Sequence, residues 1–172
     1  MNFNLQPNLC GTLLALRPLQ DTDFPSLYSV ACDPLIWEQH PNSDRYQEAV
    51  FRDFFDGAME SGGAFLIYDI STGEVMGSSR YAGLDLQMSE VEIGWTFLSR
   101  AYWGGRYNSE LKSLMLKHAF QYVDSVIFKI GVSNIRSQKA VLKLGAQREE
   151  ALTNAMGIPV IRFRLRRSDY LK

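Results

Sequence analysis

Two cysteines and two histidines in 172 residues exclude several kinds of chemistry. Cys10 and Cys32 are too few for a disulfide framework or a four-ligand zinc site, with only His40 and His118 to help. Both are read as reduced thiols, and no metal is expected. No run approaches the ~20 apolar residues that cross a bilayer, and the N-terminal "MNFNLQPNLCGTLLALRPL" lacks a basic segment followed by a long apolar one. The expectation is a soluble, cytoplasmic protein without a membrane partner. Neither sign of charge prevails: Lys+Arg 18 against Asp+Glu 19 leave a formal charge of -1, so no global basic field argues for nucleic acid as a partner. Repeats, low-complexity segments and Pro/Gly/Ser linkers are absent as well. One domain over residues 1–172 follows, since single cores usually span ~100 to 200 residues. The chain has no G-x-x-x-x-G-K-[ST], no G-x-G-x-x-G after its first strand, and "MGSSRYAG" is not G-x-S-x-G. These gaps remove a P-loop, a dinucleotide fold and a serine hydrolase.

What is present is periodic. "TLLALRPL" (12–19) reads as a strand ended by proline, and "DTDFPSLYSVACD" opens with capping acids and continues as a helix. In "SDRYQEAVFRDFFDGAMESGG", Tyr46, Val50, Phe54 and Ala58 recur every four residues beside Phe51 and Phe55, an amphipathic helix with a Gly-Gly stop. "AFLIYDI" and "VMGSSRYAG" flank the turn "STGE" as an antiparallel hairpin, and "EVEIGWTFL" is a third strand. From Leu111 a helical face follows, with Leu114, Met115, His118 and Tyr122. "SVIFKIGV" is a buried strand, "NIRSQKAVLKLGA" a helix that Asn134 can cap and Gly145 can end, and "IPVIRFRLRR" a last strand.

The stretch "WGGRYN" lies at the entry to the helix after the third hairpin strand. Helix-start N–H groups are unpaired and lie at the positive end of the dipole, so a glycine-rich entry can seat a phosphate. Taken alone, two glycines also suit an ordinary strand-to-helix turn.

Together, "VEIGWTFLSRAYWGGRYNSELKSLMLKHAF" and "NIRSQKAVLKLGA" resemble the GCN5-related N-acetyltransferases (GNAT), in particular the branch with the ribosomal-protein alanine N-acetyltransferases. That branch shows E-I-G-[YW], then Y-W-G-x-G-Y-[AG]-x-E, then N-x-x-S with a K-x-G-[FA] ending. "LLALRPLQDTDFPSLYSVACDPLIW" is similar to its opening strand, turn and helix, so the likeness covers roughly residues 10–168. It implies an α+β fold with a mixed, mostly antiparallel, splayed sheet of six to seven strands and about four helices. It also implies transfer of an acetyl group from acetyl-coenzyme A, without a metal, to a primary amine of a small molecule or a protein N-terminus. A catalytically silent coenzyme A binder with the same fold is the alternative, and either a monomer or a homodimer is compatible.

The resemblance places the cofactor between "EVEIGWTFL" and "SVIFKIGV", with backbone groups at Phe97, Leu98 and Ser99 pairing its pantetheine amides as an added strand would. The segment Trp103, Gly104, Gly105, Arg106, Tyr107 and Asn108 would hold the pyrophosphate, Asn134 the pantetheine arm, and Lys139 and Lys143 the adenosine phosphates. Asn134 is equally a helix cap, and the two lysines equally a solvated face. Arg106 and Asn108 replace the branch's glycine and its alanine or glycine. An arginine tolerates positive φ poorly, so it either reshapes the turn or compensates by pairing with phosphate.

Glu92 is the general-base candidate, with Glu90 as its rival on the same strand face. Strict alternation puts Glu92, Gly94 and Thr96 on one face, and Val91, Ile93, Trp95 and Phe97 on the other. The wider family's tyrosine acid falls where this chain has Val141, which leaves Ser137, the serine of N-x-x-S, as the implied acid. Trp37, His40, Arg45, Tyr46 and Arg80 fall where acceptors enter, a mixed aromatic and charged set that identifies no one amine. His118, on an apolar stripe, reads as a core histidine. Arg162, Arg164 and Arg166 read as one exposed strand face.

Overall fold

The computed structural model describes residues 2–170; the first residue and the last two of the expected domain lie outside it. The mixed α+β architecture is built on one open sheet, with strands in the order β1-β2-β3-β4-β5-β6-β8-β7. The strands are β1 (Leu9–Cys10), β2 (Leu14–Pro18), β3 (Ala64–Asp69), β4 (Val75–Asp85), β5 (Glu90–Leu98), β6 (Ser125–Gly131), β7 (Gln147–Thr153) and β8 (Pro159–Arg166). The helices are α1 (Phe24–Ala31), α2 (Glu48–Glu60), α3 (Arg106–Ala119), α4 (Ile135–Lys143) and the short α5 (Arg167–Tyr170). The described residues thus hold eight strands and five α-helices, against an expectation of six to seven and about four. The extra pieces are the two-residue β1, the one-turn α5, and β7, whose charged "QREEALT" has no apolar alternation because its flanks are solvated. No helix among the described residues is long and apolar enough to cross a membrane.

Each face of the sheet carries its own core. Leu14, Leu16, Phe65, Ile67, Tyr81, Val91 and Ile93 pack under Leu111, Met115 and Leu116 of α3, with Val141 of α4 at the far end. On the opposite face, Leu66 and Phe97 meet Phe24 and Leu27 of α1, Phe51, Phe54 and Phe55 of α2, and Trp37. The helical periods place these side chains: Phe51, Phe54, Phe55 and Ala58 form the buried stripe of α2, which begins at Glu48, so Tyr46 lies before the helix. Arg17 fixes the opening turn, donating to both oxygens of Asp23 at 2.8 and 2.6 Å while Asp23 Oδ2 also accepts from the Gln20 N–H at 2.8 Å. The acid-containing turn after "LRPL" is therefore a bidentate clasp between β2 and α1.

Two irregularities create the site. All pairings are antiparallel except β5 with β6, which is parallel and covers only Glu90↔Ser125, Val91↔Val126 and Glu92↔Ile127. Beyond Glu92 the two strands part. In addition, the β4–β5 register shifts between Ser78 and Arg80, and Trp95 takes φ 52°, a bulge that inserts one residue into β5. The inserted residue reverses the alternation: Ile93 packs in the α3-side core, whereas Phe97 packs in the α1/α2-side core. Thr96, expected beside Glu92, instead faces α3 and accepts from Lys112 Nζ at 2.8 Å.

Candidate active site

The gap between β5 and β6 opens toward two loops, one leading into α3 and the other into α4. At the first loop, Gly104 and Gly105 have φ 90° and 140°, values that L side chains rarely adopt, and α3 then starts at Arg106 without a side-chain cap. The first intrahelical acceptor, Gly105 O, serves Ser109 at 3.1 Å, so the N–H groups of Gly105, Arg106, Tyr107 and Asn108 have no helix carbonyl to bond. They form the positive end of a 14-residue helix. Arg106 is the first residue of the helix proper and not among the positive-φ residues, so the two glycines carry the turn and the arginine does not strain it. Its exposed side chain lines a groove with Cys10–Leu13, Ser109 and Glu110.

Other expected cofactor contacts are partly committed to the protein. Ser99 N–H donates to Met76 O at 2.7 Å, and the Trp103 indole N–H donates to Leu98 O at 3.0 Å. Trp103 therefore shapes the loop by holding the end of β5, where Phe97 and Leu98 also pair with Ser78 and Gly77 of β4. The Arg136 guanidinium lies 3.9 Å over the Trp103 ring, and the Arg136 backbone N–H donates to Gln39 Oε1 at 3.2 Å, joining the two loops. Asn134 caps α4 by accepting from Ser137 N–H at 3.2 Å, which occupies its Oδ1. Ser137 is half-buried in the first turn, while Lys139 and Lys143 are exposed.

Glu92 sits where the strand pairing stops, and it is nine-tenths buried. Its Oε2 pairs with Lys129 Nζ at 2.8 Å across the base of the gap. Its Oε1 is left toward Gly94, 3.4 Å from where a Cβ there would stand, so glycine keeps space beside the carboxylate. Glu92 and Lys129 line a hollow of about 130 Å³ with Gly83, Glu90, Ile127 and Arg162. The rival Glu90 is spent: its two oxygens pair with Arg162 Nη2 and Arg164 Nη1, both at 2.8 Å, and Glu149 of β7 holds the same two arginines. Arg162 and Arg164 are thus ion-paired within the sheet, and Arg166 of the three is exposed.

On the same face as Glu92 lie Arg80, directly opposite Gly94, and the loop carrying His40 and Arg45. That loop crosses to β6, where Pro41 packs on Gly131 so closely that a Cβ would lie 2.5 Å from its Cγ. Burial and the nearby Arg45 charge pull the His40 imidazole down to about 3, so it is neutral at physiological pH. Trp37, expected at the acceptor entrance, is instead 1% exposed, with its indole N–H on Ala31 O at 2.8 Å. It belongs to the core because burying a whole indole outweighs leaving it at an entrance. Tyr46 is exposed, its carbonyl accepting from Tyr28 Oη. His118 is a core histidine among Phe3, Tyr81 and Tyr122, hydrogen-bonded to Asn4 O.

Sequence reasoning missed Lys112. Its ammonium is buried beneath the bulge with Thr96 Oγ1 as partner, Ser79 Oγ 2.7 Å beyond, and the Phe128 ring at 5.8 Å. Burial pulls the amine down to about 8. In a helical pattern a lysine signals solvent, and nothing local marks this one as internal.

The sequence model of the "Acetyltransferase (GNAT) domain" matches residues 14–147. This chain belongs to the GNAT acetyltransferase family. Solved structures agree on the fold. A GNAT-family protein from Chromobacterium violaceum ATCC 12472 superposes with a TM-score of 0.84 at 20% identity over 96% of this chain and 88% of that one. Mycobacterium smegmatis RimJ, solved with CoA-disulfide, gives 0.74 at 15% identity over 100% and 93%. Spermidine N-acetyltransferase from Vibrio cholerae, solved with CoA and spermine, gives 0.69 at 15% identity over 92% and 98%. No curated protein matches the chain by sequence. Acetyl-coenzyme A is the acyl donor typical of the GNAT family, and the residues present suit that group. A splayed parallel pair offers the space for an extended arm, and the uncapped amides after two positive-φ glycines offer donors to a diphosphate. No group of three or more His, Cys, Asp or Glu among the described residues could hold a metal.

Proposed function

We propose that this acetyltransferase acylates a primary amine by direct attack, with Glu92 as the proton acceptor. The observation that carries the reading is the position of Glu92: a buried carboxylate at the point where β5 and β6 part, with one oxygen held by Lys129 and the other facing the open Gly94 side. Bound acetyl-coenzyme A supplies a thioester carbonyl as electrophile and a thiolate as leaving group. The amine nitrogen bonds to the acetyl carbon as the C–S bond breaks; Glu92 takes the nitrogen's proton, directly or through a water, and Ser137 Oγ or water protonates the departing sulfur. Ser137 suits the acid role because Val141 is sealed in the core with no proton to give. The uncapped amides of Gly105–Asn108 seat the pyrophosphate, and the Trp103–Arg136 stack borders that seat. The amine acceptor is supported by the acceptor named for the Vibrio cholerae relative.

Steady-state release of coenzyme A tests the roles. Glu92→Gln lowers kcat by roughly 10²-fold with acetyl-coenzyme A affinity nearly unchanged, and Ser137→Ala costs less because water also protonates a thiolate. An unaltered kcat for Glu92→Gln in the chemistry-limited regime rejects Glu92 as base.

A further inference from the structure

Two guanidinium groups lie in the acceptor region with no carboxylate of their own. Arg80 and Arg45 are 7% and 8% exposed, as buried as the surrounding aromatics. Arg80 donates Nη1 to Gly57 O at 3.2 Å and Nη2 to Phe54 O at 3.4 Å, while its Nε–H has no acceptor. Arg45 Nη1 contacts the His40 ring nitrogens, at 3.3 and 3.2 Å, and its guanidinium lies over the Trp37 and Phe54 rings. Both cations lie over the same ring, Phe54, at 5.6 and 4.7 Å, and Arg80 also covers Trp95 at 4.6 Å. Among the described residues, every ion pair of an arginine goes to Arg17, Arg100, Arg162, Arg164 or Arg167, never to these two.

The charge balance is unfavourable as it stands. Taking an ion out of water costs several kcal/mol, whereas a cation on an aromatic face recovers only ~0.5 to 2 kcal/mol. The neutral His40 cannot offset either charge. Asp44 beside Arg45 is exposed, and Glu92, the acid whose charge acts on Arg80, is already paired with Lys129. Burial and mutual repulsion draw the Arg80 guanidinium down to about 10, which still leaves it charged at neutral pH.

We infer that Arg80 and Arg45 form an anion cradle for the acceptor, so that the amine this enzyme acetylates carries a carboxylate. The inference rests on the amine-acetylation reading above and specifies its substrate class. The sheet register supports it: Arg80 stands opposite Gly94, a diagonal neighbour of Glu92, for which Cβ atoms lie roughly 7–8 Å apart. One small zwitterion can therefore present its carboxylate to Arg80 and its ammonium to Glu92. A polyamine would bring further positive charge to two uncompensated guanidiniums. A free amino acid and an acidic residue near a peptide N-terminus share the required chemistry.

The test compares L-phenylalanine and L-glutamate, their carboxamides, spermidine, and a glutamate-initiated against an alanine-initiated peptide, by coenzyme A release. The expected result is turnover of carboxylate acceptors with KM lower by about 10-fold to 100-fold than for the matched amide. Preference among the acidic arms assigns the source. Arg80→Met raises KM for the carboxylate acceptor to that of its amide with kcat retained, and Arg45→Met moves it the same way; Arg80→Lys keeps part of the preference. Turnover of amides or spermidine alone, with no carboxylate preference, overturns the cradle while the acetyltransferase reading stands. If no amine releases coenzyme A, calorimetry with N-acetyl-L-phenylalanine against its carboxamide decides separately: binding of the acid alone, lost in Arg80→Met, keeps the cradle, and equal binding or none overturns it.

Discussion

Lys112 carries its amine into the interior where β5 bulges, and Thr96 Oγ1 at 2.8 Å is its hydrogen-bond partner. No carboxylate pairs with it among the described residues, so the protonated form is held against the cost of burial. The folded amine titrates at about 8, below its ordinary 10.5. Between those values the unfolded chain keeps a proton that the native state has released, so this group makes stability rise with pH from about 8 to 10.5. Below about 8 both states are protonated and the full penalty applies. Lys112→Met removes the penalty and the slope, raising stability at pH 7 by ~1 to 4 kcal/mol. Thermal denaturation of both proteins from pH 7 to 10 checks this; a variant that is less stable at pH 7 and keeps the slope contradicts it. Glu92, Arg80 and Arg45 pose the same question of buried charge.

At the scale of elements, the first turns of α3 are anchored at one point by backbone groups. Its N-terminal amides face outward, while Glu110, one turn later, accepts from Thr12 Oγ1 at 2.6 Å and from the N–H groups of Thr12, Leu13 and Leu14 at 2.9, 2.8 and 3.0 Å. The carboxylate fills a nest of amides at the start of β2. Gly11 is required there by space, since a Cβ would lie 2.5 Å from Glu110 Cδ. Burial pushes the Glu110 carboxyl up, but the hydrogen bonds from Thr12, Leu13 and Leu14 outweigh it and hold it at about 2. The acid of the Y-[AG]-x-E pattern thus ties α3 to the first hairpin. Glu110→Gln exchanges one anionic acceptor for an N–H₂ facing N–H groups, and should destabilise the fold by ~1 to 3 kcal/mol at pH 7. Because the folded value lies below the ordinary 4.5, that contribution is complete above pH 4.5 and disappears as pH falls through about 2. Urea midpoints of the two proteins should therefore converge over that window; a separation unchanged at pH 2 would show that packing, not charge, sets it.

Across the whole molecule, one sheet separates an α3/α4 core from an α1/α2 core, and the β5–β6 gap is the place where the sheet itself is incomplete. A ligand seated there joins the β5 half to the β6–β8–β7 half through bonds that only the native state can make. Acetyl-coenzyme A at 100 times its dissociation constant stabilises a native state by about 2.7 kcal/mol. For a chain of 172 residues this corresponds to a rise in Tm of roughly 5–10 °C. Differential scanning calorimetry reads it, and no shift at saturating cofactor would remove both the amide seat and the gap as its binding place.

The order of strands and helices was legible from apolar periodicity, because each element buries one face and its residues repeat with the element's own geometry. Phe51, Phe54, Phe55 and Ala58 marked α2, "WGGRYN" marked the entry to α3, and His118 stood on its apolar stripe as a core residue. Tertiary structure decided the rest. β7 has no periodic signal, and its Glu149 carboxylate is held by Arg162 and Arg164 of a neighbouring strand. The bulge at Trp95 reversed the faces of β5 after Gly94, a phase change fixed by the register with β4. Trp37, Arg45 and Arg80 read as residues of the acceptor entrance and nothing in the sequence singles out Lys112, yet all four are buried. Periodicity reports what a residue's near neighbours require, whereas burial of an indole or a cation depends on groups brought together from distant parts of the chain.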